Sequence, residues 1–293
     1  MLVVGLVTIV GANALFLATT TNDFAAQFGI ALSFTGQALM ITGLFSGFDH
    51  PLDLPFFWFG IAILEAVIAV ATANFVLRVC AAYAGATAIT VALALTHSSP
   101  LSVGLLAASV ALVWLNAFAG PQSSAMLRAI GYGLTLALIQ EEGMTHWDVS
   151  WVNLIRPSDV VSFWVHPWKG EALVTIVLLL VVWQLLDRVG ERLPGRTAVI
   201  TLGVTAVVGA ISFKAPGIAT GLMILVLGYA NGNQRLMGLG MIALLFYVST
   251  YYYVLESTLL VKSQILASTG AVLLVARWAV LQWSGSRKEQ RHA

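Results

Sequence analysis

The stretch Pro55 to Val76, PFFWFGIAILEAVIAVATANFV, decides the fold class. It is apolar almost throughout and continuous rather than alternating. A helix of roughly 20 such residues crosses a hydrocarbon layer about 30 Å thick. The same ruler, moved outward along the chain, marks about eleven runs, with ten to twelve as the range. They lie near residues 2–19, 25–47, 55–76, 78–96, 100–119, 124–140, 171–188, 197–213, 216–232, 236–255 and 259–283. Such runs are too long for barrel strands. The expected fold is therefore all-α: a polytopic transmembrane helix bundle forming a single integral membrane domain over 1–293, with the short eighth and ninth runs able to form a hairpin that does not fully cross.

Composition agrees. Only 9% of residues are charged and 59% are hydrophobic, whereas a soluble domain carries about a quarter charged residues. The lipid bilayer is the expected partner. A net charge of +1, with only the short tail Arg287, Lys288, Arg291 as a basic cluster, leaves no footprint for nucleic acid. The lone Cys80 excludes an internal disulfide framework and a cysteine-based metal or redox motif. Met1 opens straight into Leu2–Ala18 without a basic leader region, so this run reads as a retained helix.

The breaks carry turn chemistry: Thr21-Asn22-Asp23, Asp49-His50-Pro51, Ser98-Ser99-Pro100, Gly120-Pro121, Lys214-Ala215-Pro216-Gly217 and Asn231-Gly232-Asn233. The long polar connection, 141–170, holds Trp147, Trp151, Trp164 and Trp168, as expected of a tryptophan-rich external loop at the membrane interface. Cytoplasmic loops are enriched in Lys and Arg. With the C-terminus inside, ten basic residues (Arg78, Arg128, Arg188, Arg192, Arg196, Arg235, Arg277, Arg287, Lys288, Arg291) fall on the inner side and four (Arg156, Lys169, Lys214, Lys262) on the outer. That orientation puts the N-terminus outside after an abrupt start, and a further helix upstream of Met1 is the corresponding expectation.

The C-terminal third carries a recognisable pattern: Lys214-Ala-Pro-Gly217, Gly228-Tyr-Ala-Asn-Gly232, Gly238-Leu-Gly240, Tyr251-Tyr-Tyr253, Thr258-Leu-Leu260 and Lys262-Ser263. With Asp23-Phe24, Gln27 and Gly36-Gln37-Ala38-Leu39 near the start, it resembles the bacterial membrane family called domain of unknown function 4401. The resemblance implies a multi-pass bacterial inner (cytoplasmic) membrane protein, often encoded beside or fused to a second membrane-anchored protein. Members commonly begin with one more hydrophobic helix. It implies no activity.

Glu65, near the midpoint of its run, is the sharpest candidate. A central acidic residue costs about 2.5 to 3.5 kcal/mol in a membrane helix, so it must be neutral, paired or wet. It reads either as a proton or cation relay or as a protonated acid bonded to a neighbouring helix, for instance to Gln37. Gln37 itself reads first as interhelical glue. At the tenth-to-eleventh hairpin, Tyr252 and Glu256 share a helix face and Lys262 can return to Glu256 across the turn. They form either a ligand patch or, with fewer assumptions, an interfacial girdle with a structural ion pair. Glu141, Glu142, His146, Asp148 and His166 fall in the external loop without zinc-ligand spacing, so no metal is expected. The phosphate-loop, nucleophile-elbow and dinucleotide patterns are missing as well, and neither a cofactor nor a standard enzymatic activity is expected.

Two functions remain in view. One is a small-solute or ion-coupled carrier, for which a polar cavity reaching Glu65 is the discriminating feature. The alternative is a non-catalytic scaffold binding the neighbour-encoded membrane-anchored protein. A third, an intramembrane enzyme using Glu141, His146 or Asp148, has no motif behind it.

Overall fold

A computed structural model describes residues 1–18, 23–48, 50–96, 98–116, 121–146, 168–189 and 195–254, with 260, 263, 264 and 267 beyond them. The described residues form ten α-helices and one 3-10 turn, Pro51–Asp53. The helices are α1 (Leu2–Ala18), α2 (Asp23–Phe45), α3 (Pro55–Ala71), α4 (Phe75–Leu95), α5 (Ser99–Asn116), α6 (Pro121–His146), α7 (Trp168–Val189), α8 (Gly195–Ser212), α9 (Ile218–Ala230) and α10 (Gln234–Val254). Four of them, α2, α4, α7 and α10, are long and apolar enough to cross a membrane; α1, α3, α5, α8 and α9 hold shorter apolar segments. The chain divides into two compact units, Met1–Val248 and Ser249–Ala293. The run expected at 259–283 lies mostly outside the described residues.

Helices α1 and α2 pack along a seam of small residues. Gly29, Gly36 and Gly43 repeat every seventh residue on α2 and receive Phe16, Ile9 and Leu2 of α1. A seven-residue repeat keeps one face of a helix on its partner, and the missing side chains let the backbones approach. Helices α3 and α4 pair similarly, and α1, α3 and α4 share a core of Ile9, Ala12, Phe16, Ile68, Leu77 and Ala81. The break between α3 and α4 falls at Thr72-Ala73-Asn74, earlier than the expected 76, because the Asn74 side chain accepts the Leu77 N–H at 3.1 Å and starts a new helix there.

The second half is built around α9. Its Ala219, Met223, Ile224 and Leu227 are fully buried among Val110 and Trp114 of α5, Leu138 of α6 and Leu178 of α7. Gly221 and Gly228 bring α9 against Leu244 and Met237 of α10, and Gly240 returns the approach onto Leu225. The outward faces are apolar: Ile63, Val67 and Val70 on α3, Ile176, Leu180 and Trp183 on α7, and Val204 and Val207 on α8 are exposed. In water such stripes would be a liability; in lipid they are the solvent-facing surface.

Candidate functional site

The external segment expected at 141–170 requires correction at both ends. Helix α6 continues to His146 and α7 begins at Trp168, so Glu141 and Glu142 are helical, and both are buried, as is Glu171 in the first turn of α7. Side chains from other helices compensate these acids. A hydropathy ruler scores each residue alone and stops a span at its first carboxylate. The rest of the loop, with Trp147, Trp151 and Trp164, lies outside the described residues.

These three acids converge. Glu141 Oε1 accepts a 3.0 Å bond from the Ser102 hydroxyl of α5. Glu142 Oε1 accepts one of 2.7 Å from the Thr220 hydroxyl of α9. Glu171 accepts from the Ser212 hydroxyl at 2.6 Å through Oε2 and from the Gly217 N–H at 2.9 Å through Oε1. Ser212, last residue of α8, accepts in turn from the Ala219 N–H at 3.1 Å. Gly217 and Thr220 both stand at the start of α9, so Glu142 of α6 and Glu171 of α7 form a buried acid pair around that helix end.

The junction between α8 and α9 shapes this site. Gly217 adopts a left-handed conformation, φ 83°, which directs its amide at Glu171 and opens α9 beside the acid pair. A Cβ there would lie 2.6 Å from Cγ of the fully buried Tyr247 ring, so space as well as backbone angle demands glycine. The Tyr247 hydroxyl donates to the Ile139 carbonyl at 3.1 Å and holds α10 against α6. One turn beyond Glu171, Thr175 presents a buried hydroxyl with no hydrogen-bond partner.

Glu65 is buried at 2% exposure on α3. Its Cβ faces Gly85 of α4, and its Oε2 has no hydrogen-bond partner. Gln37 is buried as well, but its amide donates to Ser33 of its own helix at 3.4 Å, and the expected Gln37–Glu65 bond is not formed. The reason is local: Ser33 lies one turn away on the same face and supplies an acceptor without a second helix. Neither of the two pockets described in the structure is lined by Glu65. Tyr252 ends up near the close of α10, whereas Glu256 and Lys262 lie outside the described residues. Among the described residues no group of three or more His, Cys, Asp or Glu is arranged to hold a metal ion.

A buried carboxyl with one oxygen unpartnered is a net cost. Glu65→Met, of similar volume, should leave thermal stability in detergent unchanged or raise it. A loss above about 1 kcal/mol would reveal a stabilising partner for the acid.

The acid pair was legible only in fragments. Glu171 stands at the first residue of an expected span and Glu142 just past the end of another, but nothing in the sequence joins them. The Lys214–Gly217 and Gly228–Gly232 motifs are more telling. The first places the Gly217 amide on Glu171, and the second forms the turn at the opposite end of α9.

A membrane protein, helical throughout its described residues and with an acid pair buried at the start of α9, is the class these observations define. The chain belongs to the family described as Domain of unknown function (DUF4401), whose family model matches residues 1–283. No curated protein and no solved structure matches the chain.

Proposed function

We propose that this protein is a proton-coupled carrier of a small solute, spanning a bacterial inner membrane about eleven times with its C-terminus in the cytoplasm, and that Glu142 and Glu171 form its coupling site. The observation that carries the reading is that two buried acids from different helices, Glu142 and Glu171, both accept hydrogen bonds from the start of one short helix. A buried carboxyl can take up and release a proton as it exchanges one set of hydrogen-bond partners for another. That proton's affinity depends on the donors facing each oxygen, and two of those donors, Gly217 N–H and Thr220 Oγ1, belong to the start of α9 and would follow any shift of it.

Helix α9 has 13 residues. At about 1.5 Å per residue it is roughly 20 Å long and too short to cross a bilayer by itself. Carriers commonly build their sites on such interrupted helices, where unused backbone donors face the bound groups. Buried Met223, Ile224 and Leu227 follow Thr220 along α9, an apolar layer that isolates the acid pair from the far end of the helix. Charge bias assigns the acid pair to the outer end.

The test uses full-length protein in liposomes of phosphatidylethanolamine and phosphatidylglycerol, with a trapped pH-sensitive dye and an imposed pH gradient. Monovalent cations, amino acids and sugars are added in turn. At least one class should speed collapse of the gradient beyond the rate of empty liposomes. Glu142→Gln and Glu171→Gln should return it to that rate with normal protein yield, because an amide keeps much of the hydrogen-bonding shape and cannot exchange the proton. If the doubly substituted protein responds to every solute as the wild type does, the carrier reading falls.

A further inference from the structure

At the end of α9 remote from the acid pair, a pocket of about 520 Å³ opens between the α9–α10 turn and the facing ends of α4, α5 and α6. Its polar side holds Arg128 of α6, Arg235 of α10, Asn231, Asn233 and Gln234, and its apolar side holds Phe75, Trp114 and Tyr132. Among the described residues no acidic one lines it. Both arginines are exposed, and among the described residues no carboxylate pairs with either.

The pocket is built rather than incidental. Gly232, φ 58°, turns the chain so that Asn233 caps α10, its Oδ1 accepting from the Leu236 N–H at 3.3 Å and from the Tyr132 hydroxyl at 2.9 Å. Those two hydrogen bonds accepted by Asn233 fasten the α10 terminus to α6 and set Arg235 and Arg128 on one cavity. It also leaves the Gln234 and Arg235 amides, the first two of a 21-residue helix, without helical acceptors. On the other wall the rings are locked edge to face, Tyr132 at 5.2 Å from Trp114 and 6.2 Å from Phe75.

We infer that this pocket binds a phosphate group, held by Arg128, Arg235 and the first amides of α10, with the remainder of the ligand against the Phe75–Tyr132–Trp114 wall. Guanidinium forks and helix N-termini are both suited to phosphate oxygens. A cavity of this size accommodates more than a bare ion. The phosphate can belong to a lipid headgroup, since the pocket lies at a bundle end, or to a soluble phosphate ester.

Native mass spectrometry on the full-length protein in detergent separates the two sources. Phosphatidylglycerol is titrated in one arm and glycerol 3-phosphate in the other, against wild type, the Arg128→Gln/Arg235→Gln double variant and Lys169→Gln, a surface control. At least one probe should bind wild type, and the double variant should weaken that binding about tenfold or more while Lys169→Gln leaves it unchanged. Binding confined to the first probe assigns a lipid headgroup, and binding of the second assigns a soluble ester. Both arginines are exposed, so unchanged melting of the double variant in detergent is expected and checks that the fold is intact. If neither probe binds, or if both bind the double variant as they bind wild type, the inference is overturned. None of these outcomes depends on the acid pair or on transport.

Discussion

Gly217→Ala should be among the most damaging substitutions available in this chain. The new Cβ meets two penalties at once. An L-residue held at φ 83° costs about 1–3 kcal/mol. The methyl would also lie 2.6–2.8 Å from three atoms of the Tyr247 ring, which is fully buried and tied to Ile139. Overpacking of that kind adds about 1–3 kcal/mol. Any relief by shifting the α8–α9 turn pulls the Gly217 amide off Glu171. Gly232→Ala is the matched control, since φ there is 58° but no atom lies within 4 Å of the added Cβ. Thermal unfolding in detergent should show Gly217→Ala melting clearly below Gly232→Ala. Equal shifts would mean that the Tyr247 ring gives way freely, and the close packing of α10 on this turn would lose its structural importance.

Glu171→Leu is expected to be comparably severe for a different reason. The carboxylate is the acceptor for two buried donors, Ser212 Oγ and Gly217 N–H. Leucine fills the space and accepts nothing. At about 1–3 kcal/mol for each orphaned donor, the loss is about 2–6 kcal/mol, enough to deplete the folded protein in the membrane. Glu171→Gln should fold, because its carbonyl can take the Gly217 amide while its NH2 donates to Ser212, whose hydroxyl can reorient. The comparison of the two variants by yield and melting therefore separates holding the fold from carrying a proton. Near-wild-type melting of Glu171→Leu would show that water reaches Ser212 and Gly217, and that the acid pair is not sealed.

The sequence reading and the structure part company at identifiable residues. The run expected at 124–140 stops at Glu141 because an isolated carboxylate does not belong in lipid. In the folded chain Ser102, 39 residues earlier, and Thr220, 78 residues later, meet Glu141 and Glu142, and α6 continues past both. Glu65 had the opposite history. Its central place in an apolar run marked it from composition alone, and it is indeed buried, but Gln37 bonds within α2 and supplies no partner. The glycines show the same division. The working seam of α2 is the seven-residue series Gly29, Gly36, Gly43, which only the position of α1 selects.

By itself the sequence determined the solvent and the secondary structure. Apolar runs of helical length in a chain with 9% charged residues leave no other way to satisfy the backbone in lipid than helices, and Asn, Gly and Pro at the breaks punctuate them. Family membership was also legible, because local motifs such as Lys214–Gly217 and Gly228–Gly232 survive as strings. The tertiary structure alone decided which acids meet. Glu142 and Glu171 come from different helices and are bridged by donors up to 78 residues away. Whether a buried carboxyl is a cost, like Glu65, or a member of a satisfied pair depends on what lies within about 3 Å of its oxygens, a distance that hydropathy and spacing do not encode.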